Sequence, residues 1–259
     1  STLRLLAWII GLVTLLGFMA IYKSMRMVVE LSERRAGFVS SVTHELKTPL
    51  TNIKMYSEML EQGIARDTAR EQDYLRVVGS ESARLSRLIN NVLELSRLEK
   101  KQRHFDMRKG DFQDVLDEVQ AVMTEKVRQE DFTLTMAPSK GIEFVYDREV
   151  MVQILINLIE NSIKFGRQSA TRHITIDVTK HDDHVDVTVA DTGPGIPRHA
   201  LKKVFDDFYR VEDALTRTTG GTGIGLSLVK KFMQAMGGSV TAANNSGPGC
   251  TITLHLPKF

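Results

Sequence analysis

A single cysteine, Cys250, stands in a chain of 259 residues, so no intrachain disulfide can form and a reducing compartment suits it. No CxxC or HExxH pattern occurs, and a zinc site is not expected from motif alone. The P-loop pattern GxxxxGK[ST] is missing, and so is any internal repeat. Excess charge is missing too. The 34 Lys and Arg residues against 32 Asp and Glu leave a net +2, which gives no case for nucleic acid as the main partner. What remains, 42% hydrophobic and 25% charged residues, is ordinary for a folded chain with room for one or two domains.

The absence of charge becomes informative near the N-terminus. Leu5 to Tyr22, LLAWIIGLVTLLGFMAIY, holds no charged residue; as a helix it would measure about 27 Å, close to the hydrocarbon thickness of a bilayer. Trp8 and Tyr22 sit near its ends, where interfacial aromatics are expected. A cleaved signal peptide is the rival reading, but no clear small-x-small site follows the run. Residues 1–22 are therefore expected to form a transmembrane helix with a short extracytoplasmic stub, 1–4. Lys23, Arg26, Arg34 and Arg35 follow the span while Arg4 alone precedes it, so the positive-inside rule puts everything after Tyr22 in the cytoplasm. The expected location is the inner (cytoplasmic) membrane, with a single span and any sensing region outside this sequence.

Residues 23–37 continue as a helical linker, and 38–101 carry the pattern of two helices. Val39, Val42, Leu46, Leu50 and Ile53 recur at three and four, the spacing of an amphipathic helix. His44 lies two residues from both Val42 and Leu46, roughly 200° around the wheel from each, and points to water. Thr48 stacks over it at i+4. Pro49 removes a donor and clashes with the Glu45 carbonyl, so the helix should bend beside the histidine. Gly63 marks a turn. Beyond it Tyr74, Val78, Leu85, Leu88, Val92 and Leu95 form a heptad seam interrupted at Glu81. One such antiparallel hairpin cannot bury both apolar stripes, which predicts a homodimer closing a four-helix bundle.

Lys100–Gly110 is basic and polar and reads as a linker (102–110), after which 111–259 changes character. Helices are expected over about Asp111–Glu130, Arg148–Phe165 and Gly223–Met236. Strands are expected near Phe132–Met136, Ile142–Tyr146, His173–Lys180, His184–Ala190, Ser239–Ala243 and Thr251–Leu256. Hairpins mixed with helices suggest an α/β two-layer sandwich, with helices covering one face of a mixed sheet.

Several groups in this last region could carry chemistry. In ILINLIENSIKFG, Asn157, Asn161 and Lys164 share one helix face; oxygen ligands suit Mg²⁺ and an ammonium suits phosphate, although a merely solvated stripe would look the same. In VTVADTGPGIP, Asp191 leaves a strand into a loop with Gly193 and Gly195. This is either an Asx-type turn or a carboxylate that accepts an exocyclic amine while glycines admit a ring. GGTGIGLSLVK puts Gly220, Gly221, Gly223 and Gly225 around a helix start, a ready anion site. No strand feeds it directly, so it is not the dinucleotide fingerprint. Phe205 and Phe208 in VFDDFYR either anchor a lid or simply pack.

Taken in order, H-E-x-x-T-P, N-x-x-x-N-x-x-K, D-x-G-x-G, F-x-x-F and G-x-G-x-G over about residues 38–257 resemble the sensor histidine kinases of two-component systems. The last domain resembles the ATP-binding fold shared with gyrase and MutL-type ATPases. The resemblance implies that His44 is the phosphoacceptor, that Glu45 orients its ring through a hydrogen bond, and that Thr48 positions water for dephosphorylating the partner. It also implies that Asn161 coordinates Mg²⁺ beside Asn157 and that Lys164 meets the phosphates. Asp191 would bind adenine in a pocket shaped by Gly193 and Gly195. Gly221, Gly223 and Gly225 would flank the triphosphate, under a lid carrying Phe205 and Phe208. ATP and Mg²⁺ are thus the implied cofactors, and a response-regulator receiver domain is the implied partner, docking near Asn52–Tyr56. Two departures stand out. Gly247-Pro248-Gly249 is followed by Cys250 and only then by Thr251, where the family often has G-x-G-T. Also, only about 15 residues separate Tyr22 from Phe38, too few for the HAMP relay that the resemblance would suggest. A phosphatase and a nucleotide-driven switch remain as alternatives to a kinase.

Overall fold

The computed structural model describes residues 2–65, 67–211 and 223–258. Helix α1 runs from Thr2 to Glu61 with Pro49 inside it, and α2 from Thr68 to Glu99. The turn between them follows from local chemistry. Gly63 adopts φ 64°, its N–H donates to Leu60 O, and the Ile64 N–H reaches back to Met59 O, a Schellman stop that needs a left-handed residue. Asp67 then caps α2 by accepting the Arg70 N–H at 2.8 Å. The hairpin is held by the expected seam, Leu85, Leu88 and Val92 being partly buried and the Tyr56 and Tyr74 rings meeting at 5.1 Å. The break at Glu81 is filled by a polar contact, Asn52 Nδ2 donating to Glu81 Oε1 at 3.0 Å. Val39, Leu50, Leu75, Ile89 and Leu93 stay exposed on the hairpin. Trp8–Glu30 has mean hydropathy 1.6 and no buried residues, long and apolar enough to cross a bilayer.

The second unit is the expected two-layer sandwich. Its sheet has the order β2 (Thr133–Met136), β4 (His173–Lys180), β5 (His184–Asp191), β7 (Cys250–Pro257), β6 (Ser239–Asn244). Only β2–β4 is parallel. Helices α3 (Gln113–Gln129), α4 (Arg148–Gly166) and α5 (Gly225–Ala235) pack on one face. Strand alternation does the sorting: Val185, Val187 and Val189 are buried while Asp186 and Thr188 look the other way. Ile154 and Leu155 of α4 are fully buried, so truncating either to Ala should cost about 2–5 kcal/mol.

The Lys100–Gly110 linker is not wholly a linker. Arg108–Asp111 forms β1, antiparallel to β3 (Glu143–Tyr146), and Phe105 and Met107 pack on the core. A four-residue polar edge strand has no periodicity of its own and exists because of a partner some 35 residues away. The linker is also fixed to α4, whose N-cap Asp147 accepts both the Val150 N–H at 3.1 Å and the Asp106 N–H at 2.9 Å. Leu95, at the foot of α2, joins the core cluster. The Arg103 guanidinium lies over Phe232 at 5.6 Å while pairing with Glu94. Higher up, Arg87 meets Glu160 of α4 at 3.6 Å, and Lys126 of α3 pairs with the same carboxylate. The hairpin therefore leans against the face of the sandwich that carries α4.

Candidate functional site

His44 is exposed on α1, as its place on the helical wheel requires, and Thr48 Oγ1 donates to the His44 carbonyl at 3.3 Å. Glu45 departs from expectation. Its carboxylate is 7% exposed and accepts from Arg84 Nη2 of α2 at 3.0 Å, so here it serves the hairpin interior and not the histidine ring. The reason is rotational: one residue, about 100°, separates the exposed face from the seam. Pro49 is buried, and the helix continues through it. Asn52, expected on a regulator-facing surface, is turned inward to Glu81.

Asn157, Asn161 and Lys164 are partly buried along one stripe of α4. The Asn157 Nδ2 donor is buried with no hydrogen-bond partner, an uncompensated group that a ligand oxygen would satisfy. Asn161 faces the start of α5 so closely that a Cβ on Gly225 would lie 3.6 Å from its Nδ2. The α5 N-terminus thus packs beside the amide stripe, with the helix dipole favouring an anion there. Burial pulls the Lys164 ammonium below its ordinary pKa. Glu45 opposes that shift, and Arg210, Arg84 and Arg167 reinforce it. This is a basic environment that polyphosphate would relieve, and the amide oxygens with it fit a hydrated Mg²⁺.

Asp191 ends β5. Its Oδ1 accepts the Gly193 N–H at 2.8 Å and the Cys250 N–H at 3.4 Å. Its Oδ2 accepts from Ser162 Oγ at 3.2 Å and from the Cys250 thiol at 3.3 Å. Cys250, not Thr251, therefore occupies the place beside the carboxylate; Thr251 turns away to Asn245 Oδ1 at 2.7 Å. Burial first, then Asp191, pushes the Cys250 thiol pKa well above its ordinary value, so the group is a donor at neutral pH. Gly249 sits at φ 98° against the Asp191 carbonyl, where a Cβ would collide. Gly193 backs onto Gly166, and Gly195, at φ 77°, nestles beside Asn244, whose side chain both accepts from and donates to the Ile196 backbone. Ser162, Asn244, Asn245 and Cys250 were not anticipated. Two had a signal: Ser162 directly follows Asn161 on the same helix, and Cys250 follows Gly249 where a threonine was looked for.

Phe205 is buried at 6% exposure and packs in the core, which favours the packing reading over a lid anchor. Phe208 is partly buried with φ 64°, an uncommon conformation for an aromatic residue. Gly223, φ 69°, lies against the Phe208–Tyr209 backbone too tightly for a side chain. Gly221 lies outside the described residues.

Residues 34–101 match the His Kinase A (phospho-acceptor) domain family, and residues 146–259 match the histidine kinase-, DNA gyrase B- and HSP90-like ATPase family. The sensor histidine kinase WalK of Bacillus subtilis (strain 168) is 32% identical over 250 residues, covering 93% of this chain and 39% of that protein. A sensor protein kinase WalK of Staphylococcus aureus is 31% identical over 248 residues, covering 95% of this chain and 59% of the relative. The chain thus spans 39% and 59% of the lengths of these relatives. Among solved structures, the Acinetobacter baumannii histidine kinase AdeS superposes with TM-score 0.60 at 23% identity, over 83% of this chain and 98% of that one. Histidine kinase ThkA in complex with response regulator protein TrrA gives TM-score 0.61 at 22% identity, over 85% and 61%. Both share the fold.

Proposed function

Because the chain belongs to the two-component sensor histidine kinases, we propose that it is a membrane-anchored, homodimeric ATP-dependent kinase that phosphorylates its own His44. The phosphoryl group then passes to an aspartate of a response-regulator receiver domain. The carrying observation is that the hairpin exposing His44 is tied to α4, the helix that bears the amide stripe, through Arg87 and Glu160 at 3.6 Å.

In this reading Asp191, held by Ser162, Gly193 and Cys250, accepts the adenine amine, while Lys164 and the α5 N-terminus neutralise the phosphates. Asn161 and Asn157 would hold Mg²⁺, which supplies charge neutralisation along the triphosphate. A His44 ring nitrogen attacks the γ-phosphorus; the N–P bond forms, the bond to the β,γ-bridging oxygen breaks, ADP leaves, and the proton on the other ring nitrogen is released to solvent. Catalysis is positioning and electrostatics, so a partly buried lysine and a pre-tied aspartate are suitable tools. The exposed Val39, Leu50, Leu75, Ile89 and Leu93 support a second hairpin closing the bundle. The apolar Trp8–Glu30 stretch supports anchoring in the inner membrane. Thr48, exposed one turn from His44, also supports hydrolytic dephosphorylation of the regulator at the same surface.

The test is discharge. The 259-residue chain in detergent micelles, labelled from γ-labelled ATP, is mixed with purified receiver domains. Label moving to a base-labile acyl phosphate on one of them supports the transfer. Label remaining on the kinase against every receiver of the host would overturn that step.

A further inference from the structure

Three of the chain's seven histidines meet on the face of the sheet that the helices do not cover, at the end of the β4–β5 hairpin. His181 and His184 flank the turn Asp182-Asp183 and are joined by a His181 N–H to His184 O bond of 2.9 Å; their rings stack at 4.3 Å. Asp186 follows two residues on, so its side chain shares the face of His184. Across the ladder Asp186 is opposite His255 of β7.

The polar atoms are arranged in two shells. His184 Nδ1 lies 2.6 Å from Asp183 Oδ1, and that hydrogen bond, with the Asp183 backbone N–H, holds the Asp183 carboxyl below its ordinary range. With its proton on Nδ1, His184 presents a lone pair at Nε2, and this atom faces Asp186 Oδ1 at 3.5 Å. His181 Nε2 faces Asp186 Oδ2 at 3.6 Å. Asp186 is itself oriented by His255, whose Nδ1 is 2.7 Å from Oδ1 and whose Nε2 meets Thr241 Oγ1 at 3.1 Å. Two imidazole nitrogens and a carboxylate therefore converge, all within 4.8 Å of one another.

We propose that His181, His184 and Asp186 form a divalent transition-metal site of the zinc class. His184 Nε2 and His181 Nε2 lie 3.5 and 3.6 Å from different Asp186 oxygens, too far for good hydrogen bonds. These separations match the edge of a tetrahedron around an ion with bonds of about 2.0–2.1 Å, which is about 3.4 Å. Because the rings stack at 16°, one of them turns to bring both lone pairs onto a single ion. The imidazole-rich set selects zinc-like ions over Mg²⁺ or Ca²⁺. The Asp183–His184 bond is the outer-shell carboxylate that fixes a ligating tautomer. A fourth position is left to solvent. The hairpin tip is anchored beforehand, since the Lys258 N–H donates to Asp183 O at 3.0 Å. The site lies about 17 Å along β5 from Asp191, so it is separate from the nucleotide cleft. It was invisible as a motif because the H-D-D-H spacing suits a hairpin and not a helix.

The test uses the tag-free chain in detergent micelles at pH 7.5, above the ordinary imidazole range of about 6.5. Zn²⁺ is titrated calorimetrically, and Co²⁺ is added as an absorbance probe. One ion per chain is expected, with tetrahedral Co²⁺ absorbance displaced by Zn²⁺ and a raised melting temperature. His184→Gln and His181→Gln should each weaken binding at least about tenfold, and Asp183→Asn about tenfold, with circular dichroism unchanged. No saturable binding, or equal Zn²⁺ affinity in the wild type and the His181→Gln/His184→Gln double variant, would overturn the site.

Discussion

Arg84 Nη2 lies 3.0 Å from Glu45 Oε2, joining the second hairpin helix to the residue that follows His44. The carboxylate is nearly buried while the guanidinium side chain is 41% exposed. Removing the arginine strands a buried acceptor, but solvent softens the penalty. Arg84→Met should lower stability by about 1–2 kcal/mol and release Glu45 toward the histidine ring, raising the initial rate of His44 phosphorylation. Chemical denaturation and a labelling time course check both halves. An unchanged or slower rate would make the pair purely structural.

Lys164 gives a prediction with opposite signs in its two readouts. Its folded-state pKa is lowered, chiefly by burial, so the unfolded chain binds more protons between the two values and stability rises with pH through that window. Below it the cost of the buried charge is fully present. Lys164→Met should therefore melt at higher temperature at neutral pH while binding ATP more weakly. Melting curves and a fluorescent-nucleotide titration decide it; loss of stability with unchanged affinity would contradict the assignment.

The Cys250 thiol donates to Asp191 Oδ2 alongside Ser162. Cys250→Thr keeps a donor at that point and should retain ATP affinity, whereas Cys250→Val should weaken it about tenfold, the worth of one hydrogen bond to a charged group. Because the thiol is held protonated, alkylation should also be slow and slowed further by ATP.

Two glycines of one loop should behave differently. At Gly249, φ 98° and the Asp191 carbonyl both reject a side chain, while nothing lies near a Cβ on Gly247. Gly249→Ala should lose nucleotide binding and more than about 1 kcal/mol of stability, with Gly247→Ala close to wild type. Equal tolerance at both positions would mean the loop is not tied to Asp191.

Much of this was legible because it is periodic or local. The α4 and β4 boundaries, the Gly63 stop and the exposure of His44 all follow from spacing within a few residues. What escaped depends on contacts between distant segments. The β1 strand needs β3, the Asp191 clamp needs Cys250 across 59 residues, and the orientation of Glu45 needs Arg84. The resemblance pointed to Asp191, but the residue beside it is a cysteine where a threonine was looked for one position later. The histidine patch is local to the β4–β5 hairpin, and only the supporting His255 is brought in by strand pairing.

The most direct measurement concerns His44 itself. The wild-type chain and a His44→Gln variant in micelles are incubated with Mg²⁺ and γ-labelled ATP, and the label is challenged with acid and with base. Label that survives base, is lost in acid and is absent from the variant is the predicted result, the signature of a phosphohistidine at that position. Equal labelling of the variant, or no label despite measurable ATP binding, would contradict the account.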